Sequence, residues 1–425
     1  MKNIRAWFLT QTVSARAEIL LLAIFFVTFV LGQLGRISLS SGVTIYAHDV
    51  VIGVWLIWHV RQLVQAVTQA IRWLPSHPLV FATTLWVLAG IIWGSIGHFE
   101  LRPILVVLRA GAYVLFAYSV GQVFASRRPL LRGLLVLAGN LMLWLGLLQY
   151  IFLPDTRFLS ILGWDDHYFR LIGPLFDPNF MGMLIVLTII FTASIHWLAS
   201  KRVQFLLQAY YAALLALTYS RASFATAGMT AFLLAWTPFP LKGWRIRHRV
   251  LLGLTSVAVF SLVLLLAPKP GGEGVKLLRT STVTARQSTA TQAIENISGV
   301  DLVLGKGLFF TSRTLTTGDA SIPNHAQVPD NILVLLLSGT GIFGTILVLS
   351  SLIYWIGRLA EKETALAIAL AVTLLHAQFN NTLFEPFISL FLLLAVLAPV
   401  RQIAAPLSVA TRFRAKKSKK NQTSK

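Results

Sequence analysis

Apolar runs of about 20 residues, the length that crosses a bilayer, follow one another along almost the whole chain. Of the 425 residues, 56% are hydrophobic and only 12% are charged, and the mean hydropathy is +0.74. Soluble domains carry about a quarter charged residues. Because lipid offers no partner for backbone N–H and C=O groups, such runs fold as helices. The sequence therefore predicts an all-α polytopic membrane protein.

We predict about twelve transmembrane helices from the apolar runs. They lie at 18–35, 43–60, 79–97, 103–124, 131–153, 179–199, 203–219, 222–237, 250–267, 331–355, 364–380 and 386–400. The polar stretch HAQFNN interrupts the run at 364–380. No small-residue cleavage site follows the first run, which favours a retained signal-anchor over a removed signal peptide.

Lysine and arginine are distributed unevenly between the two sides of these predicted spans. With the N-terminus inside, most of the 36 basic residues fall in inside loops and tails, including the basic tail 402–425. Outside loops hold most of the carboxylates. Since cytoplasmic loops are enriched in lysine and arginine, both termini are predicted to be cytoplasmic.

The net charge of +21 is explained by the same basic loops. These segments act as topology signals and contact anionic membrane lipids, so no nucleic-acid partner is expected. The chain has no cysteine, which excludes disulfides, thiol nucleophiles and cysteine-ligated metals. The sequence also has no metal-ligand spacing, P-loop or G-x-S-x-G motif, so neither a metal nor a cofactor is predicted.

Two polar segments, 154–178 and 268–330, lie outside in this topology. The second is the long hydrophilic loop region, and its middle, 283–307, has the pattern of a short amphipathic helix closed by glycines. No separate soluble domain is indicated. The chain is therefore predicted to be a single integral membrane domain, 1–425.

Four arginines lie on or near the outer side: Arg109, Arg170, Arg221 and Arg286. Arg221 occupies a turn between two spans with hardly any loop, although outer turns disfavour basic residues. Each arginine either extends to a lipid phosphate or belongs to a cluster that binds a phosphorylated ligand. Guanidinium groups suit the second role, because they bind phosphate bidentately and stay charged in a low dielectric.

Asp49 lies near the outer end of the second predicted span, and Arg109 lies at a matching depth in the fourth. A carboxylate at such a depth is costly unless it is paired. We therefore predict an Asp49–Arg109 ion pair, which is either structural or orients the site.

His325 and Asp330 lie in a proline-bearing loop that runs directly into the apolar helix beginning near Asn331. His325 is either a solvated loop histidine or a general base, and Asp330 either caps the helix or deprotonates a hydroxyl. An unperturbed histidine titrates near pH 6.5, which suits a general base and slightly favours His325.

The chain here resembles the O-antigen ligase and polymerase family of bacterial membrane glycosyltransferases. Four motifs, in the family's order, carry the resemblance: RLIGPLFDPNFMGMLI (Arg170, Gly173, Asn179), YSRASFATAGM (Ser220, Arg221), ARQSTATQAIENISGVDLVLGKGLF (Arg286, Gly305, Gly307) and DNILVLLLSGTGIFGT (Asn331, Gly341, Gly344). They span about 160–345, and the earlier spans match only in hydropathy.

The resemblance implies a GT-C-like membrane enzyme that moves a glycan from a polyprenyl-diphosphate carrier, outside the bacterial inner membrane, without metal or nucleotide sugar. It implies that Arg170 and Arg221 hold the diphosphate. The acceptor is a glycan, a lipid or a protein. The family usually has histidine directly before the asparagine of the last motif, where this chain has Asp330. Ligase, polymerase and protein-glycosylating activities therefore all remain open.

The competing interpretation is a flippase or transporter of lipid-linked glycan. Transporters concentrate ionisable groups and broken helices near the bilayer midplane. Here the polar groups gather in outer loops, and only Asp49 and Arg109 lie within predicted spans, which favours the enzyme. A non-catalytic membrane subunit is a third possibility.

Overall fold

Helices dominate the computed structural model, which describes residues 12–40, 43–96, 101–125, 128–195, 201–237, 246–270, 274–278, 281–310 and 329–397. Within these ranges, five helices are long and apolar enough to cross a membrane, or six if one bent pair counts as a single span. The prediction of a helical protein with membrane-spanning segments agrees with this architecture. Shorter apolar helices account for three further predicted spans.

The helices within the described residues are numbered in chain order. They are α1 (Val13–Val30), α2 (Ala47–Trp58), α3 (Val60–Trp73), α4 (Pro78–Ser95), α5 (Leu101–Val123), α6 (Arg128–Phe152), α7 (Pro178–Ala193), α8 (Lys201–Thr218), α9 (Arg221–Trp236), α10 (Ile246–Leu266), α11 (Ser281–Glu295), α12 (Val300–Leu304), α13 (Ile332–Ala360), α14 (Thr364–His376) and α15 (Pro386–Leu397). Short 3₁₀ turns lie at Gly32–Gly35, Leu74–Ser76, Arg157–Leu162, Gly173–Leu175 and Thr382–Phe384.

The span predicted at 43–60 is not one straight helix. The segment begins as strand β2 (Val43–Tyr46), which pairs antiparallel with β1 (Arg36–Ser40), and it continues as the 12-residue helix α2. The chain then bends by 84° into α3. The backbone N–H of Tyr46 donates to Asp49 Oδ2 at 3.0 Å, which explains why the strand changes to a helix at this point.

Helix α7 lies at the centre of the molecule, against α6, α8, α9 and α14. Nearly all its residues from Met181 to Thr192 are buried, so it is apolar around its whole circumference, as expected of a central helix. Gly182 allows the closest approach, since a Cβ there would overlap with Ser223 of α9. Small residues at such contacts bring the backbones of membrane helices together.

Helix α13 is broken in its interior at Gly341, which has φ 66° and ψ −176°. The break frees carbonyl groups that a continuous helix would bond, and three protein donors take them up. Lys306 N donates to Ser338 O at 2.8 Å, and Gly307 N donates to Gly339 O at 3.1 Å. Trp86 Nε1 of α4 donates to Thr340 O at 2.9 Å. The segment after α12 is therefore docked onto α13 by the helix break itself.

We expect Gly341→Ala to destabilise the protein by about 2 kcal/mol or more, because its φ favours glycine and a Cβ would overlap with the carbonyl of Val303. Gly357→Ala is the matched control, because Gly357 lies in the same helix with open space around it. The measurement is the thermal unfolding midpoint of each purified variant. Equal midpoints for the two variants would contradict this account of the break.

Candidate functional site

Arg170 is buried, with 6% of its surface exposed, so it does not extend to lipid phosphate. Its Nε donates to Thr218 O at 3.0 Å and its Nη2 to Tyr219 O at 3.5 Å. These carbonyls end α8, and the backbone N–H of Leu171 donates to Leu217 O at 2.9 Å beside them. The loop 153–177 is thus fastened to the turn between α8 and α9.

The same turn carries Arg221, the first residue of α9. Tyr219 has φ 50°, a left-handed conformation that is uncommon for a non-glycine residue and recurs at functional sites. Ser220 caps α9, and Arg221 Nη1 donates to Leu277 O at 3.2 Å. Since the groups that Arg170 contacts directly precede Arg221 in the chain, the structure brings the two predicted diphosphate-binding arginines to one turn.

A buried chain of polar contacts continues from this turn into the core. Ser220 Oγ donates to Asn179 Oδ1 at 2.8 Å, and Ser223 Oγ lies 2.8 Å from Ser220 Oγ. Ser223 Oγ also lies 3.0 Å from Nε2 of His376, the last residue of α14. The two serines and His376 have no exposed surface. Asn179, a residue of the first motif, therefore connects the first two motifs.

On its other side, His376 contacts the loop 377–385. Its Nδ1 lies 2.6 Å from Thr382 Oγ1, which itself donates to Asn380 O at 3.1 Å. Each ring nitrogen of His376 therefore lies within hydrogen-bond distance of a hydroxyl group, Ser223 on one side and Thr382 on the other. Both ring nitrogens are thus satisfied, as buried polar groups require.

Arg286 on α11 joins this loop to the last motif. Its Nη2 donates to Asn380 Oδ1 at 2.8 Å, and its Nε donates to Asp330 Oδ2 at 2.7 Å. The two charged side chains are about one third exposed. Arg286 and Asp330, predicted as a diphosphate ligand and a candidate base, therefore form an ion pair.

Asp330 does not cap the following helix, so that structural alternative is wrong. Asn331 is the N-cap of α13, because its Oδ1 accepts from Leu333 N at 2.8 Å and Val334 N at 3.2 Å. Its Nδ2 donates to Gln378 O at 3.0 Å. The capping position falls one residue later than the alternative assumed, which leaves the carboxylate of Asp330 to pair with Arg286. His325 lies outside the described residues.

The predicted Asp49–Arg109 ion pair is confirmed, with Arg109 Nη2 3.2 Å from Asp49 Oδ2. The arginine also donates to Thr44 O, and its guanidinium lies 5.1 Å from the centre of the Tyr46 ring. Tyr113 Oη donates to Asp49 Oδ1 at 2.6 Å. The pair fixes the hairpin β1–β2 and the start of α2 to α5, which is a structural role.

The two glycines of the last motif have packing roles. Gly341 forms the break in α13 beside Gly305, and a Cβ on Gly344 would overlap with Thr340 and the Trp86 ring. The third and fourth motifs therefore meet twice, at this break and at the Arg286–Asp330 pair.

Asp177 lies directly before α7 and accepts from Asn179 N at 2.6 Å and Phe180 N at 2.9 Å through Oδ1. Donor atoms of Asp165, His167 and Asp177 lie within 4.8 Å of one another, a grouping that offers cation ligands. Since Asp177 is the N-cap of α7, its first role is to begin that helix. We assign no metal here.

Glu385 is a buried carboxyl group between the loop 377–385 and α15. Its Oε2 accepts from Ile388 N at 2.7 Å. Burial raises the pKa of Glu385 to about 8, with a smaller opposing effect of backbone hydrogen bonds and a further increase from the negative charge of Asp177. Burial also raises the pKa of Asp177. The electrostatics of this region thus favour a retained proton on Glu385.

The comparison with protein-family models finds no match to this chain, and the comparison with curated proteins finds none either. The family resemblance therefore depends on the four sequence motifs.

The sequence interpretation missed four polar residues of the site: Ser223, His376, Asn380 and Thr382. A signal for His376 and Asn380 was present, because the stretch HAQFNN interrupts an otherwise apolar run. Polar residues at membrane depth are costly and tend to be functional or paired. Ser223 lies 153 positions from His376, and Asn380 lies 94 positions from Arg286, so only the fold identifies these contacts.

We expect the stability gain of Glu385→Gln over wild type to increase between pH 5 and 8. In this window the folded protein keeps a proton on Glu385 that the unfolded chain, with an ordinary pKa of 4.5, has lost. Wild-type stability therefore falls as pH rises, and glutamine removes that loss. The measurement is the unfolding midpoint of both proteins at each pH.

Asp155→Asn is the control for this pH series. Asp155 is exposed, and its hydrogen bonds from Arg157 lower its pKa to about 2, so it stays ionised in the folded and unfolded chains above pH 5. Its difference from wild type should stay constant. A constant difference for Glu385→Gln as well would show that Glu385 is ionised in the fold.

Proposed function

We propose that this chain is a membrane glycosyltransferase that moves a glycan from a polyprenyl-diphosphate carrier onto an acceptor hydroxyl. The reaction takes place on the extracytoplasmic face of a bacterial inner membrane, in the assembly of envelope polysaccharide. The proposed architecture has about twelve spans, a GT-C-like arrangement and cytoplasmic termini.

The observation that carries this proposal is the contact between all four motifs of the resemblance. The first and second motifs meet through Arg170 and through Asn179. The third and fourth meet through Arg286 and through the glycines at the break of α13. His376 connects the second motif to the loop that holds Arg286. Motifs brought together only by folding are expected of residues that serve one site.

In the proposed reaction, the diphosphate leaving group binds at the turn that carries Arg221, which we call the arginine turn. Breaking the bond between the anomeric carbon and the diphosphate oxygen leaves the bond pair, and one more negative charge, on the diphosphate. Arg170 and Arg221 stabilise that charge, because preorganised cations act most strongly where charge develops. The acceptor oxygen forms the new bond from the opposite face and loses its proton, so the anomeric centre inverts.

The proton acceptor in this scheme is His325, and Asp330 has the orienting role. The ion pair with Arg286 stabilises the charged form of Asp330, so taking a proton would cost that interaction. The unperturbed pKa of histidine, about 6.5, suits a general base. Asp330 then orients His325 or the acceptor.

A flippase of lipid-linked glycan is the alternative, and the break in α13 bears on it. Broken helices in transporters present unwound carbonyls to their cargo. The carbonyls freed in α13 instead accept from Lys306 N, Gly307 N and Trp86 Nε1. Because these carbonyls are hydrogen-bonded within the protein, the break in α13 favours the enzyme over the flippase. A protein O-oligosaccharyltransferase differs from this proposal only in its acceptor.

We expect Arg221→Lys to weaken binding of a long-chain polyprenyl diphosphate by about tenfold or more, because lysine keeps the charge but loses the bidentate contact. The measurement is binding to the full-length chain in lipid nanodiscs. Arg157→Lys is the control, since Arg157 is an exposed arginine that pairs with Asp155. Equal affinities for both variants would overturn the diphosphate site.

We expect His325→Ala to lower glycan transfer by about a hundredfold and Asp330→Asn by about tenfold, which are ordinary losses for a base and its orienting group. Transfer is measured as release of polyprenyl diphosphate from a lipid-linked glycan donor. Asn324→Ala is the control in the same loop. If His325→Ala and Asp330→Asn both keep near-normal turnover, this loop contains no general base.

A further inference from the structure

Helix α3 has two sharply different faces. At 100° per residue, one face carries only polar side chains: Arg61, Gln62, Gln65, Thr68, Gln69 and Arg72. The opposite face carries a narrow stripe of Val60, Val64, Val67 and Ile71. The four stripe residues are 40% to 65% exposed, and Leu63 at the edge of the stripe is the buried residue of α3. The strongest apolar stripe of α3 therefore faces away from the protein.

In the predicted topology, the start of α3 lies near the inner boundary of the bilayer. Helices α2 and α5 run side by side in the same direction, since Asp49 pairs with Arg109 and Trp55 Nε1 donates to Ser119 Oγ at 3.0 Å. At 1.5 Å per residue, Ser119 lies about 27 Å along α5 from Leu101. The hydrocarbon core is about 30 Å thick, so α2 ends as it reaches the far side.

The end of α3 lies beside a different helix. The Trp73 ring is 6.4 Å from the Trp355 ring of α13. Trp355 lies in the last two turns of α13, the end that is cytoplasmic in the predicted topology. Both ends of α3 thus lie near one membrane boundary, and its 84° bend from α2 directs its axis along that boundary. Trp58 and Trp73, at the two ends, suit an interface, where tryptophan is enriched.

We propose that α3 is an interfacial helix that binds the surface of the cytoplasmic leaflet. The stripe Val60, Val64, Val67 and Ile71 enters the boundary between headgroups and acyl chains, and the polar face contacts water. Arg61 and Arg72 bind anionic headgroups, since basic residues beside an apolar face favour anionic lipid. The occupant of this face is the membrane, because the apolar stripe is exposed and the far end of α3 packs against Trp355 of α13, a helix long and apolar enough to cross a bilayer.

The absence of cysteine makes the chain suitable for single-cysteine labelling without background. Spin labels are attached to Val64→Cys, Val67→Cys and Ile71→Cys, with Gln62→Cys, Gln65→Cys and Gln69→Cys as matched controls on the same helix. The full-length protein is studied in anionic-lipid nanodiscs. We expect the stripe labels to relax faster with oxygen, and the control labels with a water-soluble nickel chelate, with a several-fold contrast between the sets.

Two results would overturn an interfacial position. If nickel reaches both sets equally, α3 lies in water, and if oxygen dominates at both sets, α3 is part of a re-entrant span. Either outcome leaves the glycosyl-transfer proposal untouched, because that proposal assigns no role to α3.

Lipid charge is tested with the double variant Arg61→Gln and Arg72→Gln, with the label at Val67→Cys. We expect the label to become several-fold more accessible to nickel in anionic nanodiscs and to stay unchanged in zwitterionic ones. Arg247→Gln with Arg249→Gln removes the same charge from α10 and serves as the control. Equal responses to the two double variants, or equal responses in the two lipids, would overturn headgroup binding.

Discussion

The hydrogen bonds that close the break in α13 are the interaction on which the rest of this structure depends. A helix interrupted in a bilayer has backbone carbonyl groups that lipid cannot hydrogen-bond. Each carbonyl left unpaired costs several kcal/mol, which is a large fraction of the net stability of a typical protein. Here Lys306 N, Gly307 N and Trp86 Nε1 satisfy them. The backbone N–H groups of Lys306 and Gly307 therefore hold the end of the long loop region against α13. Because the loop is fixed at 305–307, α11 is held close enough for Arg286 to reach Asp330.

The buried contacts around His376 connect the two proposed halves of the reaction site. On one side they reach Asn179 and Ser220, next to the turn that carries Arg221. On the other they reach the loop where Asn380 accepts from Arg286. Fully hydrogen-bonded polar networks in a low dielectric are rigid, because no side chain can move away without leaving a buried polar group unpaired. A donor diphosphate at the arginine turn and an acceptor near Asp330 would thus be held in a fixed mutual geometry, which single displacement requires. Neither His376 nor Ser223 needs to touch substrate for this effect.

Much of the helical content could be predicted from the sequence, because lipid allows apolar runs few other structures. The Asp49–Arg109 pair could be predicted as well, since depth alone restricts the partners of a buried carboxylate. The segment 43–60 could not, because hydropathy does not distinguish a strand and a bent helix from one straight span. The cap at Asn331 was misassigned by one residue, since aspartate and asparagine cap equally well and only the competing bond to Arg286 decides between them. The contacts of His376 depend on residues far apart in the chain, and no local pattern contains them.

Helix α2 connects the Asp49–Arg109 pair to α3. Near its beginning, Asp49 is held by Arg109 and by Tyr113 Oη, and six residues further on, Trp55 Nε1 donates to Ser119 Oγ. Two attachments to α5 at different depths prevent α2 from sliding or rotating independently of that helix. The bend at its inner end then fixes the direction of α3, whose far end packs against Trp355 of α13. Since α13 begins beside Asp330 and packs near its other end against α3, the proposed site and α3 are both attached to α13. A displacement of α3 would therefore act on α13 as well as on α2. Within α13, the break at Gly341 is the point where backbone groups accept hydrogen bonds from outside the helix.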